Sequence, residues 1–442
     1  MDERTLDRAW SVLSLLCFAL PTIAMMLFMG LYTLTDTIFV AQFVSTDALS
    51  SINIVCPVSN VIVGLGTMIA TGGNAIISRK MGAGKNQEAR EDFTLLILAG
   101  AAAGVLILIY GTFRIDGIVH ALGAGDRLFF LCRDYLMVLL WFMPANILQT
   151  LFSNLFVTAG KSGTGFVLSV LAGLTNIVLD YLFIVPCRLG IRGAALGTGL
   201  SWLVPAMAGL ICFSRHRGTL YFTKTSLKWA VIRESCSNGS SEMVSQLAAA
   251  VTTFLFNRTM MNLLGENGIA AITILIYSQF LSATLYIGFS MGIAPVIGFN
   301  YGSRNHVQQK KVFRISMGFI LAASVLIFLA SRSGGFHIVR LFTDDTSEVC
   351  RIATEGFSIF SFGFLFCGLN IFTSAMFTAL SNGKVSAVLS FLRTFVLLTG
   401  CILLLPPVLG ITGVWMAVPV AEGIMFCISL LCLIHYKKRY SY

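Results

Sequence analysis

Apolar runs dominate this chain. From Trp10 to about residue 41 the positions are largely Leu, Phe, Ala, Met, Ile and Val, and runs of the same kind recur to near residue 435. About 20 apolar residues span a bilayer as a helix. On that measure the pattern predicts twelve spans, at roughly 10–41, 48–78, 93–112, 129–158, 164–186, 193–213, 239–264, 268–300, 315–332, 355–380, 385–405 and 412–435. The longest must tilt, kink or protrude.

The pattern also repeats. The segment LGIRG at 189 returns as LGITG at 409, an offset of 220 residues. The same offset pairs IVHAL at 118 with IVRLF at 338, VTAGKSG at 157 with FTALSNG at 377, Gly72 with Gly292 and Gly82 with Gly302. One constant offset at separate landmarks marks an internal duplication. Each half carries six spans, and an even number returns the chain to its starting side. The expected fold is therefore an all-α integral membrane protein. Its two six-helix lobes are related by a pseudo-two-fold axis along the membrane normal, with a substrate site between them. The divisions are a lobe over 1–213, an inter-lobe linker over 214–238, and a lobe with a basic tail over 239–442.

Composition agrees: 56% of the 442 residues are hydrophobic and 11% charged, against about 25% charged in soluble domains. The net charge of +10 does not point to nucleic acid, because no basic run carries aromatic interleaving or a nucleic-acid motif. Most Lys and Arg lie in one alternate set of loops, among them Arg79, Lys80, Lys85, Lys161, Lys224, Lys311 and Lys437. By the positive-inside rule that set, both termini and the 214–238 segment are cytoplasmic. The eleven Cys include no C-x-x-C and read as packing residues rather than a disulfide or metal framework. The charged start MDERTLDR precedes an apolar run too long for a signal peptide, so no cleavable leader is expected.

Against this background a few polar residues stand out. Asp36 closes the first run, in LYTLTDTIFVAQF; a carboxylate at a helix centre is unfavourable by about 2.5–3.5 kcal/mol on insertion scales. Asp180 and Asn176 lie four positions apart on the fifth span, hence on one helix face, and Thr198 lies near the start of the sixth. Counted from the span ends, Asp36, Asp180 and Thr198 share a depth within about 10 Å of the outer face. The duplication supplies an internal control. The offset maps Asp36, Asn176, Asp180 and Thr198 onto Phe256, Val396, Gly400 and Val418, and every polar group is lost. A site particular to the first half follows, built of hard oxygen donors suited to a small cation, with two carboxylates whose repulsion favours a shared proton. The alternative is that each acid is satisfied by neighbours.

Other residues have weaker claims. Glu422 and Arg393 lie at similar depth in the last two spans; they form a structural ion pair, or Glu422 faces substrate. Pro21 bends the first helix, statically or as a hinge. Met29, Met260 and Met291, with Tyr32, line an adaptable cavity or belong to the core. Glu242 begins the seventh span, where a helix N-terminus favours an acid.

Taken together and in order, LPTIAMMLFMGLYTLTDTIFVAQF, GGNAIISRKMGAGKNQEA, NIVLDYLFIVPCRLGIRGAALGT and the weaker LLLPPVLGITGVWMAVPVAE resemble the multidrug and toxic compound extrusion (MATE) transporters, closest to their prokaryotic DinF-like and MepA-like branch. The resemblance covers almost the whole chain. It implies a V-shaped pair of lobes in the cell membrane and cation-coupled export of varied, often cationic, organic compounds. It places the cation site at Asp36, Asn176, Asp180 and Thr198, with sodium or a proton at Asp36 and Asp180, and assigns helix bending to Pro21. It also implies no cofactor, no enzyme activity, and a monomer whose partners are substrates, the coupling cation and membrane lipid. A second prokaryotic branch uses acids on the seventh and tenth spans. Here those spans offer only Glu242 at an edge, Asn370 mid-span and Glu355 at a start, so a second-lobe site of that type is not expected.

Rival functions leave marks that are missing. An intramembrane aspartyl protease needs G-x-G-D, and neither GLGT at 64–67 nor VLD at 178–180 supplies it. No G-x-x-x-x-G-K-[ST] loop exists for ATP. A passive channel needs a polar pore stripe. A lipid-linked intermediate flippase of similar build remains the alternative that a substrate assay must separate.

Overall fold

The computed structural model describes residues 6–44, 46–216, 218–340 and 347–442; within these, the side chains at 34, 36–38, 40–42, 46 and 49 are not described. The first lobe consists of α1 (Val12–Phe43), α2 (Thr46–Gly82), α3 (Asn86–Ala121), α4 (Asp126–Trp141), α5 (Met143–Thr158), α6 (Ser162–Ile184) and α7 (Gly190–Ser214). A short α8 (Trp229–Asn238) follows an extended stretch. The second lobe contains α9 (Ser240–Gly302), α10 (His306–Arg340), α11 (Glu348–Phe360) and α12 (Phe364–Ala379). It closes with α13 (Gly383–Phe391), a π-helical stretch Leu392–Leu398, α14 (Thr399–Leu404), α15 (Pro406–Leu409) and α16 (Ile411–Tyr440).

Twelve crossings result among the described residues. The α4–α5 pair counts as one span bent by 55° at Phe142, where Pro144 opens α5. The 63-residue α9 counts as two, divided at Gly265 with φ 63°, a left-handed value that favours glycine. The helices overrun the expected spans: α3 begins at Asn86 rather than 93, and α10 at His306 rather than 315. Their first turns are charged, so an apolar window ends before the helix does.

Contacts at the interface obey the 220-residue offset. A methyl placed on Gly82 would fall on the carbonyl oxygen of Phe299, and one on Gly302 would fall on that of Arg79. A methyl on Gly72 would press on the backbone of Gly239, and one on Gly292 on that of Ala19. Ser78 and Gly298, equivalent positions, face one another. Away from the interface, Gly190 and Gly410 share positive φ, 57° and 60°. The ring pair Phe93–Phe222 at 5.4 Å is repeated as Phe313–Tyr442 at 4.7 Å. Apolar burial gives helices little reason to associate inside lipid, whereas close backbone approach at small residues does.

This tight zone lies at the end of the molecule that holds both termini: Trp10 N–H donates to Gln308 (3.1 Å) and Gln309 Nε2 to the Tyr440 carbonyl (2.9 Å). We call it the basic end. Along α2, residues 72–78 are all buried, whereas none of 56–61 is; along α9, 295–298 are buried and none of 249–255 is. The lobes are closed against each other at the basic end and loosen toward the opposite one.

The segment 214–238 is more than a linker. Its last part forms α8, and the offset maps Trp229–Asn238 onto 9–18, the beginning of the first helix. The duplicated unit therefore starts before α9, and the break at Gly239 has no counterpart in α1, which is continuous through Pro21.

Candidate ion site and the facing lobe

The buried face of α6 carries Gly165, Ser169, Gly173, Asn176, Asp180 and Ile184, spaced three to four apart, while Val167, Leu171, Leu174, Val178 and Tyr181 are exposed on the other side. The acid thus points into the lobe rather than to the lipid face. Asp180 is 1% exposed. It lies against α7 at Gly197, where even a methyl would overlap Asp180 Oδ1. Thr198, the next residue, is half-buried, and its carbonyl accepts the Ser201 hydroxyl at 2.7 Å. Asn176, also 1% exposed, has neither its Oδ1 nor its Nδ2 hydrogen-bonded among the described residues. A buried amide left without partners is unfavourable by about 1–3 kcal/mol for each group.

α1 packs along α6 through a second glycine. A methyl on Gly173 would sit 2.6 Å from Phe28 Cε1 and 3.1 Å from Tyr32 Cδ1. Nearer the basic end, Gly165 lies 4.0 Å from Met25 Sδ by the same measure, so the two helices run parallel. One turn beyond Tyr32, about 6 Å along the axis, α1 reaches the backbone of Asp36, level with the Asn176–Asp180 turn of α6. The Asp36 side chain itself lies outside the described residues. Asn176 and Asp180 therefore share the face of α6 that packs on Gly197 of α7, with Thr198 the next residue along α7 and the α1 backbone alongside.

The remaining expected residues scatter. Tyr32 is half-buried beside Phe28, with ring centroids 6.1 Å apart. Met29 and Met291 are half-buried on facing helices. Met260 is not a cavity residue: it is 0% exposed in the second lobe's core with Phe256 and Trp415, packed under Gly268 just past the Gly265 break. Pro21 is half-buried within α1. Lacking an N–H, it leaves the Cys17 carbonyl without its helical donor. Glu242 lies in the first turn of α9.

The second lobe treats the matching positions differently. Phe256 and Val418 are core residues at 3% and 1% exposure, Val396 is exposed, and the space around Gly400 is open. One turn closer to the basic end it has a polar cluster of its own. Glu422, 4% exposed, accepts from Arg393 at 2.7 Å and from Asn370 Nδ2 at 2.7 Å. The Asn370 amide also donates to the Glu422 carbonyl at 3.0 Å, and its oxygen accepts from Ser429 at 2.8 Å. Arg393 further reaches the Cys367 sulfur at 3.1 Å. Every strong group here is partnered. Arg393 stands on the π-helical stretch Leu392–Leu398, whose extra residue per turn re-aims a side chain. The sequence pairs Arg393 with Glu422 and marks Asn370 as a mid-span polar residue, but does not join Asn370, Ser429 or Cys367 to that pair; their shared depth with Glu422 is the available signal. Nor does it single out Gly197, which the offset flags by its exchange with Ala417. Among the described residues no group of three or more His, Cys, Asp or Glu side chains is placed to hold a metal ion.

Comparison with known proteins gives one picture. The MatE family model matches residues 21–182 and again 243–402, once per lobe. Multidrug export protein MepA of Staphylococcus aureus is 24% identical over 433 residues, covering 96% of this chain and 93% of the relative. The Staphylococcus haemolyticus MepA is 25% identical over 427 residues, covering 96% and 92%. Among solved structures, an outward-facing multidrug resistance MATE transporter superposes with TM-score 0.92 at 21% identity, covering 100% of this chain and 98% of that one. A transporter of the same superfamily from Pyrococcus furiosus gives 0.91 at 21% identity, covering 100% and 98%.

Proposed function

The chain belongs to the MatE family of multidrug and toxic compound extrusion transporters, and from that premise we propose that it exports varied, often cationic, organic compounds in exchange for a proton or sodium ion. It is a multi-pass membrane transporter of the multidrug-export kind rather than an enzyme. The drug-export relatives favour this reading over flipping of a lipid-linked intermediate. The positive-inside rule makes the basic end cytoplasmic, and on that reading the described conformation opens outward.

The observation that carries the proposal is Asn176, buried beside the buried Asp180 and without hydrogen-bond partners among the described residues. A carboxylate and an amide oxygen supply the hard donors that a sodium ion takes; a proton neutralises the carboxylate instead. Two further donors come from the sequence: the carboxylate of Asp36, whose α1 backbone lies at this level, and the hydroxyl of Thr198 on α7. With the site charged, the lobe holds repelling acids that favour an entering cation from the open side. With the site neutral, α1 repacks against Gly173 and the cleft releases its substrate outward. Tyr32, Met29 and Met291 supply adaptable apolar contact for that substrate. One charge moving down 100 mV contributes about 2.3 kcal/mol, sufficient to drive export without ATP.

The test is efflux from proteoliposomes under separately imposed proton and sodium gradients, for wild type, Asp36→Asn and Asp180→Asn. Coupled export that survives in both folded variants overturns the proposal. The gradient that drives the wild type identifies the ion.

A further inference from the structure

The repeat places α8 in an unexpected position. By the offset it is the beginning of the second lobe's first helix, yet its fastenings run to the first lobe. Glu234 pairs with Arg79 of α2 at 2.9 Å. Ser235 Oγ donates to the Ile69 carbonyl at 3.0 Å, and the Ser235 carbonyl lies directly over Gly72. Upstream, Lys228 reaches Glu91 at 2.7 Å and the fully buried Asp92 at 3.9 Å. Phe222 stacks near Phe93, and Arg90 of α3 donates to the Thr219 carbonyl at 3.0 Å.

Toward the second lobe, α8 is held by much less. Asn238 Nδ2 donates to the Thr378 carbonyl at 2.8 Å, and Gly383 packs on the Asn238 backbone. Beside these two contacts the surfaces separate around a cavity of about 400 Å³, lined by Arg233, Glu234 and Ser237 on one side and Ser381, Asn382 and Lys384 on the other. The helix then breaks at Gly239. Past the break, Ser241 meets the Thr378 hydroxyl at 3.4 Å. Thr378 donates to Ser386 at 2.7 Å, and Ser386 lies 2.8 Å from Ser374. That buried hydroxyl cluster ties the start of α9 to α12 and α13.

We propose that Gly239 is the hinge on which the second lobe turns, with residues 219–238 remaining on the first lobe as an exchanged arm. The strong fastenings lie on one side of Gly239 for the arm and on the other for α9, and the cavity marks the parting line between them. When the basic end opens, the reciprocal contacts of Gly82, Gly302 and Ser78–Gly298 separate, while Arg79–Glu234 and Lys228–Glu91 persist. This inference rests on alternating access, but not on which ion drives it.

Two engineered disulfides test it, each in a transport-competent background without the native cysteines. Ser78→Cys with Gly298→Cys joins the lobes, since a Cβ on Gly298 would lie 3.2 Å from Ser78 Cβ, close to disulfide reach. Gly73→Cys with Ser235→Cys joins the arm to the first lobe, with the new Cβ 3.4 Å from Ser235 Oγ. The expected result is complete, reductant-reversible loss of dye efflux on oxidising the first pair and retained efflux on oxidising the second. Modification of a basic-end cysteine by an impermeant thiol reagent reports the same opening without any ion gradient. It therefore separates failure of the hinge from failure of ion coupling. Loss of both efflux and labelling on oxidising the second pair overturns the inference, as does retention of both on oxidising the first. Should Gly73→Cys prevent folding, Arg79→Cys with Glu234→Cys bridged by a short bis-thiol reagent makes the same arm-to-lobe link, with the same outcomes.

Discussion

The two lobes come from one duplicated pattern and place their buried acids in opposite circumstances. In the first, Asn176 beside Asp180 has no hydrogen-bond partner among the described residues. In the second, Glu422 has Arg393 and Asn370, and Asn370 has Ser429. Similar helices at neighbouring depths thus hold, among the described residues, one buried amide without hydrogen-bond partners and one closed network. A group kept unsatisfied in a low-dielectric interior stores the means to respond to an arriving ion; a closed network resists change. On the proposed mechanism, ion response falls to the first lobe and the closed network of the second stays fixed.

The largest expected effect tests the first half of that contrast. Asp180→Asn abolishes gradient-driven efflux in vesicles while leaving the folded, substrate-binding protein intact, as read by dye binding. Full activity in that variant removes the functional distinction between the lobes.

Next is the second lobe's network. Glu422→Gln leaves the half-buried Arg393 without its counter-charge, a loss of up to about 3 kcal/mol, the lower end for breaking a buried pair, seen as a lowered Tm in detergent. Replacing the pair together, Arg393→Met with Glu422→Leu, is expected to be neutral or stabilising by about 1–4 kcal/mol and to retain efflux. Loss of efflux in the stable double variant instead puts Glu422 in the transport path.

A smaller effect compares two glycines, one packed on Asp180 and one at the position the offset gives Asp180. Gly197→Ala drives a methyl into Asp180 and is expected to lower stability by about 1–3 kcal/mol through overpacking, with weakened ion dependence of transport. Gly400→Ala, at the position matching Asp180 and facing open space, is expected to stay within about 0.5 kcal/mol of wild type. Equal responses of the two would erase the contrast. Smallest is Glu234→Ala at the arm. Its pair with Arg79 is about a third to a half exposed, so the loss is at most about 1 kcal/mol.

Much of this was written in the sequence, and the omissions have physical causes. The apolar runs and the 220-residue offset were sufficient for twelve spans and two lobes, because a bilayer leaves helices few alternatives. Span ends were set short wherever charged turns extend the helix, as at Asn86–Asp92 of α3. The arm α8 reads as linker in the sequence because WAVIRESCSN has no long apolar run; the offset from residues 9–18 is its signature. The bends at Phe142 and Gly265 depend on packing that no window registers. Within the site, Asn176, Asp180 and Thr198 were legible as polar residues in an apolar context. Met260 was not separable from Met291 without knowing which side of α9 faces the core. The partners of Glu422 come from α12 and the π-helical stretch, and only the folded arrangement brings them together.

The exchanged arm also sets a timetable for synthesis. When Lys228 emerges from the ribosome its partner Glu91, 137 positions earlier, has already been made, so the second arm finds its dock waiting. The first arm has no such host. Trp10 binds Gln308, 298 positions later, and at about 5–20 residues per second it remains undocked for about 15–60 s. Two arms equivalent by sequence are thus unequal in history: one closes the first lobe as it is completed, and the other fastens only once the second lobe is under way.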